Sequence, residues 1–213
     1  NAALLRKTLI NAKNYLENKN SKNSKNNFYK EADALLPLIK KEVPLRIHCH
    51  RQDDIVTAIR IAEEFDLKYT LEHITQGHKI IDFLKSKNTS FAIGPTMHYG
   101  SKVENKDRDF HTPYLAAKNN LQFALITDHP VVAGRNLAMS AALAVNWEMD
   151  RNKAFEAITL SAAKHIGIEN RVGSIEIGKD ADLVIWSDDP LEFTTFADMT
   201  IIDGEVVYKR SEK

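Results

Sequence analysis

A single cysteine, Cys49, stands in the 213 residues. That excludes an internal disulfide framework and a thiolate zinc cluster, and it suits a reducing compartment with the cytosol as the default. Charge of one sign is missing as well, since Lys plus Arg and Asp plus Glu number 29 each. No overall field draws the chain to nucleic acid or to an anionic membrane. No apolar run approaches the ~20 residues of a membrane span, and no succession of charged, apolar and small residues resembles a signal peptide. The partner left over is a small molecule or another protein, with room for a homo-oligomer. An initiating methionine is absent too. The chain opens on Asn1, and NAALLRKTLINAKNYLENK already carries a helical stripe at Leu5, Leu9, Ala12 and Leu16 with no capping signal ahead of it. The expectation is the later part of a longer protein.

What is present is an ordinary apolar fraction, 43%, enough for one substantial core with a smaller appendage. The stretch ENKNSKNSKNNF reads as a solvated loop because it lacks apolar surface. KEADALLPLIKKEV has the spacing of a short helix interrupted near Pro37. Beyond it LRIHCH, KYTLEH, TSFAIGP and FALITDHP read as strands. DDIVTAIRIAEEF, HKIIDFLKSK and GRNLAMSAALAVNWEM read as helices, and NKAFEAITLSAAKHIGI follows as one further helix. Alternation of this kind predicts an α/β fold with a parallel sheet covered by helices. GSIEIGKDADLVIW and TIIDGEVVYKR then switch to short strands separated by Gly and Asp turns, which predicts a small antiparallel β unit.

In parallel α/β folds ligands bind where the strands end and their loops converge. The first strand ends in His48, Cys49 and His50, the second in Glu72 and His73, and the fourth in Thr127, Asp128 and His129. A lone histidine at a strand end is more often a hydrogen-bonded or surface residue than a ligand. Imidazole, imidazole and carboxylate on one rim are together what a divalent cation needs. His48 is the better-held member of the first pair, and His50 sits at the loop as a candidate substrate contact. The segment from Pro95 to His111 follows the third strand. It offers Lys102, Arg108 and Tyr99 as candidates for a carboxylate, with a solvated charged loop as the commoner reading. His78, His111 and His165 stand in poorer context.

PLRIHCHRQDDIVTAIRIAEEF, LEHITQGH, LITDHPVV and VGSIEIGKDADLVIWSDDPL, in this order, closely resemble the amidohydrolase superfamily and, within it, imidazolonepropionase-like and prolidase-like enzymes. The resemblance runs from Pro44 to Arg210. It implies the C-terminal half of a (β/α)8 TIM-type barrel over residues 1–165, from the last helix of the fourth unit through the eighth βα unit. Residues 166–213 would then be part of a small β-sandwich. It further implies that His48 and His73 are the metal-binding histidines of the fifth and sixth strands, and that Asp128 is the eighth-strand aspartate that binds metal and handles the proton. His50, His98, Tyr99 and His129 are the expected substrate contacts. The cofactor implied is one or two divalent ions, zinc first, and the reaction is hydrolysis of an amide or cyclic amide. The family's first-strand histidine pair and its fourth-strand lysine or glutamate have no counterpart here and are expected in an N-terminal segment before Asn1. Two alternatives follow: a non-catalytic fragment or subunit that completes a metal-dependent barrel with that segment, or a deaminase of heterocycles.

Overall fold

The structure is a computed structural model that describes residues 1–20, 29–99 and 102–211. Its helices are α1 (Ala2–Asn20), α2 (Lys30–Ala34), α3 (Leu36–Ile39), α4 (Gln52–Glu64), α5 (Ile81–Lys85), α6 (His111–Lys118), α7 (Leu137–Asn146), α8 (Arg151–Ile158) and α9 (Leu160–Ile166). Its strands are β1 (Leu45–Cys49), β2 (Tyr69–His73), β3 (Phe91–Ile93), β4 (Phe123–Leu125), β5 (Leu183–Trp186), β6 (Ala197–Ile202) and β7 (Glu205–Lys209). The loop rich in Asn, Lys and Ser is expected over residues 17–28, but α1 continues through residues 17–20 to Asn20, and residues 21–28 lie outside the described residues.

Strands β1 to β4 form one sheet in sequence order, every pair parallel. β3 and β4 are buried along their whole length, because helices cover one face and side chains fill the other. β1 differs: Arg46 and His48 are exposed while Ile47 packs against the core, as suits an edge strand with one open face. On α4, Ile55, Ile59 and Ala62 form the predicted apolar face and are fully buried, with Asp53 and Asp54 in the first turn, where the helix dipole favours carboxylates. Each such isoleucine contributes roughly 1.5–3 kcal/mol by leaving water. α1 buries Leu9 and Ala12 against Leu38, Ile61 and Phe65, a second core behind the sheet's first edge.

Three local expectations differ from what forms. The single helix expected over NKAFEAITLSAAKHIGI is two, α8 and α9, separated at Thr159 (φ −130°, ψ −100°). Thr159 Oγ1 donates back to the Phe155 carbonyl at 2.6 Å, a bond that competes with the helical ladder. Gly173 then packs into the break, where an added Cβ would lie 2.8 Å from the Ala163 Cβ and 2.9 Å from the Leu160 Cα. The stretch GSIEIG makes no strand, and Ile175 and Ile177 within it are exposed. β5, β6 and β7 form the antiparallel sheet without it. Finally, α6 arises in a region with no helix expected, with Pro113 in its first turn, where a missing N–H costs nothing.

A buried histidine ties α9 to the sheet. His165 Nε2 lies 3.1 Å from Glu72 Oε1, and its Nδ1 lies 2.7 Å from Ser90 Oγ. Burial pushes the Glu72 carboxyl upward, but His165, Thr70 and Arg46 outweigh it and hold the group below its ordinary value. The role of His165 is therefore structural. Among the described residues no helix is long and apolar enough to cross a membrane.

Candidate active site

The parallel register sets Cys49 beside His73 and His73 beside Ile93, so the loops after β1, β2 and β3 leave the sheet at one rim. There three imidazoles meet. The His48 and His73 ring centres are 4.2 Å apart, and His50 lies 4.8 Å from each of the other two. His50 and His73 are buried and His48 is exposed at the open face of β1, so His50, not His48 as expected, is the better-held member of the first pair.

His73 is the best-held of the three. Its Nδ1 lies 2.7 Å from the Gly94 carbonyl. A carbonyl only accepts, so Nδ1 carries the proton and, in the neutral ring, Nε2 is left with a free lone pair. Burial pushes its pKa below 6.5, assisted by the charges of His48 and Arg108 and opposed by the Gly94 carbonyl and Asp128. His50 Nδ1 lies 2.7 Å from Thr75 Oγ1. Burial and the neighbouring His73 and His48 lower its pKa from 6.5 to about 4. Cys49 takes no part: burial, with the charges of Asp54 and Glu72, raises its thiol to about 12.

The backbone is forced where these groups emerge. His73 has φ +74°, Ile74 has φ +33° and Asp128 has φ +51°. Non-glycine residues in this region cost roughly 1–3 kcal/mol each, and such strain concentrates at functional sites. Gly94 stands between them with φ +141°, and a Cβ there would lie 2.2 Å from the Ile126 carbonyl oxygen. Only glycine lets β3 approach β4 closely enough to aim its carbonyl at His73.

Asp128 is exposed at the start of the loop after β4, and its charge acts to raise the pKa values of His73 and Arg108. The other expected contacts bond and stack within their own loops. His98 stacks on Tyr99 with ring centres 4.5 Å apart and bonds the Tyr99 carbonyl through Nδ1. His129 Nδ1 accepts the Gly134 N–H at 3.3 Å, closing the turn after β4. His78 is bonded to Thr112, and His111 packs on His78 and Trp147. Sequence reasoning passed over Thr75 and Gln76, the buried polar residues just past β2. Their position directly after a strand-end histidine was the available signal.

A divalent cation fits this site in part. The free Nε2 of His73 and the adjacent His48 ring suit two ligand positions, and the Nδ1–H bond to Gly94 is the kind of outer contact that orients a ligating imidazole. Among the described residues, however, no group of three or more His, Cys, Asp or Glu side chains is arranged to hold an ion.

The amidohydrolase family's sequence model matches residues 29–207. The chain belongs to the amidohydrolase family. Its backbone overlays the crystal structure of an amidohydrolase from Thermotoga maritima MSB8 with a TM-score of 0.93 and 34% identity, covering 98% of this chain and 56% of that one. It is 24% identical over 180 residues to amidohydrolase tasK of Hapsidospora irregularis, 82% of this chain and 18% of that protein. It is 26% identical over 152 residues to the imidazolonepropionase of a Polaromonas species, 68% of this chain and 33% of that enzyme. The chain thus spans about half the Thermotoga structure and a smaller share of the two curated relatives.

The protonation pattern carries a prediction for the chain as it stands. His50, His73 and His78 all have folded-state pKa values below 6.5, chiefly through burial. The unfolded chain takes up protons that the folded chain refuses, so their contribution to stability is full above pH 6.5 and is lost as pH falls toward about 4. Urea unfolding of metal-free protein is expected to show a lower midpoint at pH 5 than at pH 7.5. Equal midpoints would contradict the burial of these rings.

Proposed function

We propose that the complete protein hydrolyses a carbon–nitrogen bond of an amide or cyclic amide with a bound divalent cation, zinc first. The observation that carries this reading is the imidazole cluster at the strand ends, with His73 held neutral and its Nε2 free. His48 and His73 would hold the cation, with Asp128 as the third ligand. When bound, one or two such ions supply activation of water and polarisation of the scissile carbonyl.

The chain's own groups supply the rest. Asp128, at the mouth of the loop after β4, takes the proton released by water and delivers it to the leaving nitrogen. His50, buried and bonded to Thr75, stays neutral at physiological pH and lies against the substrate beside the cluster. His98, Tyr99 and His129, on the loops after β3 and β4, are its outer contacts. Residues 1–165 form the later part of a βα barrel and residues 166–213 part of a β-sandwich. The remaining ligands come from an N-terminal segment of the same protein. In support, the open face of β1 and the exposed Val184, Ile185, Val206 and Val207 of the small sheet offer apolar and polar surface for such a segment. On this reading the 213-residue chain alone is inactive.

The complete protein, assayed on N-acyl amino acids, Xaa-Pro dipeptides and cyclic amides, is expected to turn over at least one class in a chelator-sensitive way. Metal-replete protein inert toward all three would reject the proposal.

A further inference from the structure

His78 and His111 make a second pair of imidazoles outside the strand-end cluster, with ring centres 5.9 Å apart and ring planes 38° from parallel. Each ring has one nitrogen tied down. Thr112 Oγ1 donates its only proton to the Thr75 carbonyl at 2.9 Å, so toward His78 it can only accept. His78 Nδ1, 2.9 Å from that oxygen, therefore carries the proton of the neutral ring, and Nε2 keeps a free lone pair. The His78 N–H also donates to Thr112 Oγ1 at 3.3 Å, which fixes the turn before α5 against the start of α6. His111 Nδ1 lies 3.1 Å from Asp109 Oδ2, and Asp109 Oδ1 accepts the His111 N–H at 2.8 Å. An ionised carboxylate only accepts, so Nε2 is again the free nitrogen. A proton-bearing Nδ1 held by a hydroxyl or a carboxylate is the outer contact that orients a ligating imidazole.

The spacing suits a shared ion. With metal–nitrogen bonds of about 2.0–2.1 Å, two imidazoles on one ion have ring centres about 5.2 Å apart at the tetrahedral angle and about 6.4 Å apart in line. The observed 5.9 Å falls between these limits, and His111, being exposed, is free to adjust. His111 also lines an open cavity of about 340 Å³ with Tyr114, Asn146, Trp147 and Glu148, room for the water that completes an ion's shell. Water must complete it, because among the described residues no third His, Cys, Asp or Glu joins the pair. We propose that His78 and His111 are a second metal site, taking one borderline divalent ion such as copper or zinc through the two Nε2 atoms. Imidazole donors select such ions, whereas calcium and magnesium require oxygen. The site is independent of the hydrolase reading. With two protein donors it exchanges its ion readily, so its occupancy is read by titration and not from the metal retained on purification.

The test is titration of the complete protein with Cu²⁺, which imidazole sites hold most tightly in the divalent series, after the active site has been filled with zinc and the free metal removed. Trp147, its ring centre 5.5 Å from that of His111, is the reporter, because a paramagnetic ion beside an indole quenches its emission. The first equivalent of Cu²⁺ is expected to quench tryptophan emission, and Trp147→Phe is expected to abolish that quenching. His78→Ala and His111→Ala are each expected to weaken Cu²⁺ binding at least about 10-fold, since losing even an outer contact to a ligand has that effect. The His48→Ala, His73→Ala double variant, shown folded by circular dichroism, is expected to keep the same affinity and quenching, which separates this site from the strand-end cluster. Quenching that survives Trp147→Phe, a smaller loss in either histidine variant, or a site that disappears with His48 and His73 would overturn the proposal. Should His78→Ala fail to fold, His111→Ala decides, because that ring is exposed: a 10-fold loss supports the site and a smaller one overturns it.

Discussion

Gly94→Ala is expected to destabilise the chain by more than about 3 kcal/mol, at the severe end for a single substitution. Two costs combine. The residue has φ +141°, a conformation that a residue with a Cβ rarely adopts, and the new methyl would sit 2.2 Å from the backbone oxygen of Ile126. No rotamer relieves a clash between Cβ and a main-chain carbonyl, so β3 and β4 must separate or the peptide must turn. Either movement withdraws the carbonyl that holds His73 Nδ1. Urea unfolding measures the first effect, and a loss of less than about 1 kcal/mol would mean that the close approach is not needed.

Removing both His48 and His73 as alanines is expected to lower kcat/KM of the complete protein by about 10³-fold or more, since a catalytic metal supplies several kcal/mol of transition-state stabilisation. The stability cost falls on His73, which is buried and bonded to the Gly94 carbonyl, rather than on the exposed His48. His111→Ala serves as the comparison. That ring packs on Trp147 and His78, outside the cluster, and its loss is expected to leave turnover near that of the unaltered protein.

Much of this arrangement is legible in the residues themselves, for local reasons. Strands buried on both faces read as apolar runs, which is why β3 and β4 stand out, and Ile55, Ile59 and Ala62 mark α4 by their period. His48, His73 and Asp128 are visible because a polar group directly after an apolar strand is a local pattern. The comparison with known amidohydrolases agrees with the family that those motifs imply. What escapes is set by contacts distant in sequence. Gly94 reads as a turn residue until its approach to Ile126 is seen. Asp107 reads as one more loop charge until Gln76, 31 positions earlier, is found holding it. The break between α8 and α9 is hidden by continuous apolar periodicity, because the residue that fills it, Gly173, belongs to a later loop.

Metal content of the complete protein tests the central claim most directly: that the strand-end imidazoles converge as donors to a cation. Elemental analysis of the unaltered protein is expected to find about one or two divalent ions per chain, and the His48→Ala, His73→Ala double variant, shown folded by circular dichroism, is expected to lose them. An unaltered protein that holds no ion after purification with zinc, or a double variant that keeps its full complement, would contradict the account.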